Sequence, residues 1–361
     1  MTKVRWHLKH EQFGSKPWAV QAEGMRRADG RPRFGQFMEQ GLGKTALNLN
    51  EFIDADEVDL NVVIAPNSFM GDWPLAPAEW GLDFLKTGSY AEGDEPYDWD
   101  CGLYVYGHET LRGSEKARNH LAWLLKNRRC MFTIDESTGI KNPQAGLTKY
   151  VLQVVKDAVM VRELNGTPLV LNVMDYWAQL RVLGELNGVN PYQFRNRFAV
   201  MGGFMGRQIK GVKNEEELGR LIDGCAFRAL TADWRKDLPP RVPVTHHYEM
   251  TDNQRKHYNT MMEDFYAMVG DDEPVTADMV LTQRIKLQQI SSCLLMDDDK
   301  VHWLEPPKKN PKLRAICDLF DYTECKAIVP YFYKPSGAML YEAFKEMKLK
   351  DRKSTRLNSI H

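Results

Sequence analysis

The stretch Gln36–Leu49, QFMEQGLGKTALNL, decides the fold. An apolar β-rich run, Phe34–Phe37, enters it, glycines 41 and 43 interrupt it, and a helical stretch leaves it. Binding a triphosphate needs backbone N–H groups aimed inward, which glycine permits at positive φ. It also needs a helix N-terminus, whose orphan donors and dipole favour anions. Lys44 offers a cation for the β- and γ-phosphates, and the Thr45 hydroxyl is placed for Mg²⁺. Met38, Glu39, Gln40, Gly41, Leu42, Gly43, Lys44 and Thr45 therefore read as a phosphate-binding loop for ATP with Mg²⁺. The strict pattern has a glycine five residues before Gly43, where this chain has Met38, so the match is degenerate.

Further along, Met131-Phe132-Thr133-Ile134 runs straight into Asp135-Glu136. A carboxylate at the carboxyl end of a strand lies in the crevice where doubly wound sheets bind ligands. Asp135 is the candidate Mg²⁺ holder, and Glu136 the general base that orients and deprotonates an attacking water. A third loop, Asn165-Gly166-Thr167-Pro168, follows another apolar run. Between these loops, strand candidates at 62–65, 103–106, 130–134 and 159–164 alternate with helical candidates at 45–52, 72–80, 114–126 and 145–156. Such alternation predicts a parallel sheet with helices on both faces.

Composition excludes several classes. Of 361 residues, 43% are apolar and 27% charged, an ordinary globular balance with room for two domains. No apolar run approaches the length that spans a bilayer, and the N-terminus MTKVRWHLKHEQ has no signal-peptide core. A cytoplasmic location is the expectation, or host-cell cytoplasm for a phage-encoded chain. Six scattered cysteines, with no C-x-x-C pair, indicate neither a zinc site nor a disulfide framework. A net charge of −1 gives no global nucleic-acid footprint. Local basic groups do occur at Arg26, Arg27, Arg31 and Arg33, at Lys126, Arg128 and Arg129, and at Arg207, Lys210 and Lys213.

In this order, the motifs resemble the superfamily-two helicase-like ATPases, most closely the Swi/Snf family of double-stranded DNA translocases. The likeness covers roughly residues 13–345. Gln21-Ala22-Glu23-Gly24-Met25 looks like that family's opening glutamine motif, which implies that Gln21 reads adenine. The family's phosphate loop also lacks the first glycine, which accounts for Met38. Val63-Ile64-Ala65-Pro66, followed by Trp73 and Trp80, resembles a motif that touches the DNA backbone, with Pro66 in it. Tyr104–Leu111 matches the family's next segment, and Ile140-Lys141-Asn142-Pro143 is a Swi/Snf signature. Gly166, Thr167 and Pro168, with Leu169, Asn172 and Trp177, match the motif implied to join ATP state to DNA contact. There Asn165 stands where the family has Thr or Ser. Arg228, Leu238-Pro239, Gln254 and Tyr258 fall on positions that join the two lobes, and Lys286–Cys293 resembles the helical segment before the second lobe.

The resemblance implies an α/β fold. Residues 1–235 would form a P-loop RecA-like, ATP-binding lobe. Residues 236–350 would form a Pro-rich linker, helices and an incomplete second RecA-like lobe. In that second part the expected elements are a strand at 244–250, a Thr251-capped helix to 269, an acidic loop at 270–274, a helix at 277–295, a loop at 296–309, a helix at 312–322 and a strand at 327–332. The tail 351–361, DRKSTRLNSIH, reads as a non-native read-through. The family's late motifs, with their arginine finger, would follow the point where the chain stops, so weak Mg-ATP binding and poor turnover are expected of it. The implied partner is double-stranded DNA; no membrane partner is expected, and oligomeric state is left open. The competing readings are a P-loop phosphotransferase and a non-catalytic nucleotide-binding module. Neither predicts Gln21, the Asp135-Glu136 pair and the Gly166-Thr167-Pro168 loop together with full retention of Lys44 and Thr45.

Overall fold

A computed structural model describes residues 5–91, 101–168, 171–239, 242–270, 277–297, 300–321 and 327–348. The tail at 351–361, the acidic loop at 271–274 and Leu169 lie outside the described residues. Contacts divide the chain into two compact units, the first running to Pro239.

The first unit is built on strands β1 (Arg33–Met38), β2 (Leu60–Ala65), β3 (Thr87–Ser89), β4 (Leu103–Gly107), β5 (Cys130–Asp135) and β6 (Met160–Asn165). A hairpin, β7 (Ala199–Gly202) and β8 (Gln208–Val212), and the short strand β9 (Ala226–Ala229) complete it. Seven strands form one sheet in the order β3-β4-β2-β5-β6-β1-β9, and every pairing in it is parallel. Strands buried on both faces read as continuous apolar runs. Their side chains still divide by alternation. Val62, Ile64, Tyr104, Tyr106 and Phe132 join one core with the helices Glu115–Asn127 and Gly146–Val154. Val63, Ala65, Leu103 and Val105 join a second core with the helix Lys44–Asp54.

The sheet also carries polar anchors. The Asn48 amide donates to Thr133 Oγ1 at 3.0 Å, Thr133 donates to Asn61 Oδ1 at 2.8 Å, and Asn61 donates to Asn48 Oδ1 at 2.9 Å. This closed triangle of fully buried groups pins the helix after the phosphate loop to β2 and β5. Arg162 on β6 forms a buried ion pair with Glu51 of the same helix at 3.1 Å. Its neighbour Glu163 points to the opposite face of the sheet. Glu163 is 0% exposed, and among the described residues neither of its carboxylate oxygens has a hydrogen-bond partner.

Several expected elements differ. The helix expected at 72–80 is a series of turns followed by the short helix Ala76–Glu79, because Pro74 and Pro77 lack the N–H a longer helix would need. In the second unit, Thr251 caps the helix Asp252–Gly270: its hydroxyl accepts from Gln254 N–H while Gln254 Oε1 accepts from Thr251 N–H, both at 3.1 Å. That helix packs antiparallel on Ala277–Ser291 through Gln254 to the Ile290 carbonyl at 2.9 Å and Gln283 to the Met261 carbonyl at 2.8 Å. The expected loop at 296–309 contains instead part of an antiparallel hairpin, β10 (Leu294–Asp297) with β11 (Lys300–Trp303). The expected strands at 244–250 and 327–332 are not formed. A strand needs a ladder partner, and among the described residues neither segment has one; Ile328 and Phe332 are 91% and 86% exposed. Among the described residues no helix is long and apolar enough to cross a membrane.

Burial alone pushes the Glu163 carboxyl well above the ordinary carboxylate range. A group whose folded value is raised stabilises fully below its unfolded value, and that stability is lost as pH rises through the folded one. Glu163→Leu removes the orphaned group and should stabilise the chain by about 1–3 kcal/mol at neutral pH. The gain in thermal midpoint, followed by calorimetry, should be larger at mildly alkaline than at mildly acidic pH. A gain independent of pH would show that the carboxyl is not the cause.

Candidate active site

β1 ends at Met38, and the chain turns through Gly41 (φ 82°) and Gly43 (φ 79°) into the helix Lys44–Asp54. Gly43 serves its left-handed backbone and also leaves room for Gln21, whose Nε2 would stand 2.3 Å from a Cβ there and would have to shift. Gln21 is 2% exposed and holds the loop from beneath. Its Nε2 donates to the Gly43 carbonyl at 3.2 Å, while its Oε1 accepts from Trp18 N–H at 2.8 Å at the start of its own helix. Lys44 Nζ folds back to the carbonyls of Met38 (2.8 Å) and Glu39 (3.4 Å). The Glu39 carboxylate accepts from Thr231 N–H at 2.6 Å, tying the loop to the segment after β9. Met38 and Leu42 are buried, Lys44 and Thr45 half-buried, and Gln40 and Gly41 exposed.

β6 lies between β1 and β5, so the acid pair emerges two strand spacings from the phosphate loop, roughly 10 Å. Both oxygens of Asp135 are oriented by neighbours: Oδ2 accepts from the Trp73 indole N–H at 2.9 Å, and Oδ1 from Glu136 N–H at 3.0 Å. Glu136 sits in the left-handed region (φ 48°, ψ 59°), a conformation that L residues other than Asn, Asp or Gly seldom adopt. Such strain clusters where a side chain must be aimed. Burial raises the Asp135 carboxyl, against the Trp73 bond and the Lys44 charge. Burial, and then the Asp135 charge, raise Glu136, while Lys44 opposes. The Lys44 ammonium is lowered by burial and partly restored by Glu136, Asp135 and Glu39.

The third loop meets both others. A Cβ on Gly166 would lie 3.5 Å from the Gln40 amide nitrogen, so this loop lies against the phosphate loop. Asn165 Oδ1 accepts from Thr167 N–H at 2.9 Å, and its Nδ2 donates to Ser137 Oγ at 3.0 Å. Ser137 donates to Gln179 Oε1 at 2.7 Å, and Gln179 Nε2 donates to the Pro168 carbonyl at 2.9 Å. Ser137, Asn165 and Gln179 are fully buried. Pro66 stands apart, at the end of β2, three places from β1 in the sheet. It reaches the site through the following segment, whose Trp73 holds Asp135.

Sequence reading assigned Trp73 to a DNA-contacting motif and did not join it to Asp135, placed Ser137 in the Asp135-Glu136-Ser137-Thr138 stretch that stands where the family has Asp-Glu-x-His but gave it no role, and passed over Gln179. One signal could have found Gln179, a polar residue inside the otherwise apolar run Tyr176–Leu180. Among the described residues no cluster of three or more His, Cys, Asp or Glu could hold a metal alone. The donor set fits Mg²⁺, which takes one or two protein oxygens and completes its shell with phosphate and water.

A family model described as an SNF2-related domain matches residues 37–295. An uncharacterized ATP-dependent helicase of Mycoplasma genitalium is 23% identical over 316 residues, 83% of this chain and 29% of that protein. The TATA-binding protein-associated factor MOT1 of Saccharomyces cerevisiae is 28% identical over 212 residues, 55% of this chain and 11% of that protein. The chain thus spans less than a third of either relative. The Sulfolobus solfataricus SWI2/SNF2 ATPase core in complex with dsDNA matches with a TM-score of 0.52 at 21% identity, covering 92% of this chain and 70% of that one. At that identity the likeness is one of fold.

The Trp73–Asp135 bond has a measurable consequence. Trp73→Phe keeps the ring and removes the donor. A hydrogen bond to a charged group contributes about 1.5–3 kcal/mol. The variant should need roughly tenfold more Mg²⁺ to half-saturate fluorescent-nucleotide binding, while nucleotide binding in chelator stays unchanged. Equal Mg²⁺ dependence in the two proteins would remove Trp73 from the site.

Proposed function

The chain belongs to the SNF2-related domain family, and on that premise we propose that it is an ATP-dependent motor acting on double-stranded DNA. The observation that carries this reading is the wiring of the acid pair. On one side Asp135 is bonded to Trp73, in the segment that leaves β2 at Pro66. On the other, Ser137 is bonded through Asn165 and Gln179 to the loop Gly166-Thr167-Pro168. A small-molecule phosphotransferase needs the phosphate loop but has no use for two buried connections from its acid pair to neighbouring strand-end loops.

In this reading the glycine-lined turn and the N-terminus of the helix Lys44–Asp54 cradle the triphosphate, and Lys44 neutralises its β- and γ-oxygens. Thr45 and Asp135 are the residues to hold Mg²⁺, which when bound neutralises charge developing on the phosphates. Glu136, aimed by its strained backbone and raised by burial, orients the attacking water and takes its proton. Gln21 keeps the loop's shape through Gly43 and would meet adenine at its edge. Pro66, Gly166, Thr167 and Pro168 face the duplex at the carboxyl ends of the strands, so closure on ATP shifts their grip on it. The Pro-rich segment at 236–243 joins this ATP-binding lobe to the helices that follow. A DNA-bearing cytoplasm is the compartment this reading implies.

ATP hydrolysis measured with and without duplex DNA tests the proposal. Turnover should rise with duplex. Glu136→Gln should lower it by about 10²–10⁴ while nucleotide still binds, and Lys44→Ala should lose nucleotide binding itself. Turnover indifferent to DNA, with a small phosphate acceptor consumed instead, would overturn the motor reading. Asn165→Ala should uncouple the two functions: basal turnover falls less than severalfold, and stimulation by duplex is lost.

A further inference from the structure

From Asn190 to Lys213 the chain carries five basic residues and no Asp or Glu, in a protein whose net charge is −1. This stretch is the helix Pro191–Phe198 and the hairpin β7–β8. Its root is rigid. Phe194, Phe198 and Ala199 belong to the core that also holds Tyr176 and Trp177. Lys213 N–H donates to the Phe198 carbonyl at 2.9 Å, and Asn214 Nδ2 to the Arg197 carbonyl at 2.7 Å.

The basic residues divide by role. Arg197 is paired with Glu217, and Arg195 lies 5.1 Å over the Tyr192 ring. Arg207, Lys210 and Lys213 are exposed, and among the described residues none of them has an acidic partner. Met205, at the hairpin tip, is 70% exposed with a left-handed backbone (φ 52°). An apolar tip with unpaired cations just before, within and just after one strand fits a groove edge lined with phosphates.

Topology fixes where the hairpin stands. The helix Glu215–Cys225 feeds directly into β9, which is parallel to β1. It packs on both strands, so it runs against them, and its first residue lies about 16 Å toward their carboxyl ends. The hairpin ends just before that residue. It therefore rises on the face from which the phosphate loop, Pro66 and Gly166–Pro168 emerge.

We propose that the hairpin Ala199–Val212, with Lys213, is a further grip on the duplex backbone, in which Arg207, Lys210 and Lys213 each neutralise a phosphate. This rests on the reading of the chain as a motor on double-stranded DNA. Each neutralised phosphate adds about 0.9 to the slope of log affinity against log salt. The variant R207Q/K210Q/K213Q in the full chain should lower that slope by roughly 2–3 for a DNA duplex, and each single substitution by about 0.9. Fluorescent-nucleotide binding should be unchanged, since none of the three residues belongs to the phosphate loop or the acid pair. If the unaltered chain binds no duplex, the motor reading fails and this grip with it. If the unaltered chain binds and the triple variant keeps its slope, the grip alone is overturned, and an unchanged slope in all three single variants overturns it as well.

Discussion

A cation must sit half-buried beneath a turn of the chain, and the site is arranged around that constraint. Desolvation works against the Lys44 ammonium, so acids must stand close enough to hold its charge. Three do, on two different segments: Glu39 within the loop, and Asp135 and Glu136 at the end of β5. In the proposed function the same proximity serves chemistry on a phosphate, which takes a cation, a metal-holding carboxylate and a base within one crevice. The strand order serves it by placing β6 between the two acting strands. That spacing leaves room for a phosphate chain between lysine and carboxylates.

The remaining polar groups of the first unit are supports for these few. Gln21 fixes the loop from below, Trp73 fixes one carboxylate oxygen, and Asn165, Ser137 and Gln179 carry the acid pair's position to a neighbouring loop. Buried networks of this kind rigidify when every member is satisfied. Glu163, close by in the sheet, shows the contrast, since among the described residues its buried carboxylate has no hydrogen-bond partner.

The parts legible in the sequence were those written locally. Glycines 41 and 43 before Lys44-Thr45, and an apolar run ending in two acids, each announce themselves within ten residues. So did Thr251, whose capping box lies within four positions. What escaped was written across distance. The Trp73–Asp135 bond joins residues 62 apart and the Ser137–Gln179 bond residues 42 apart. The segments at 244–250 and 327–332 have strand-forming side chains, yet pairing depends on a neighbour that composition does not supply. The pair β10–β11 reversed the error, since the charged sequence between them concealed two short runs that do pair.

The triangle of Asn48, Asn61 and Thr133 carries an evolutionary consequence. Each member donates one bond and accepts one, so the ring is closed on itself and buried. Replacing any single member orphans one donor and one acceptor in the sheet interior, where each lost partner is costly. Replacing all three with well-packed apolar residues orphans none. The three positions are therefore locked against one another, and drift can leave this state only through concerted change, although Thr133 lies 72 residues from Asn61 and 85 from Asn48 in the chain.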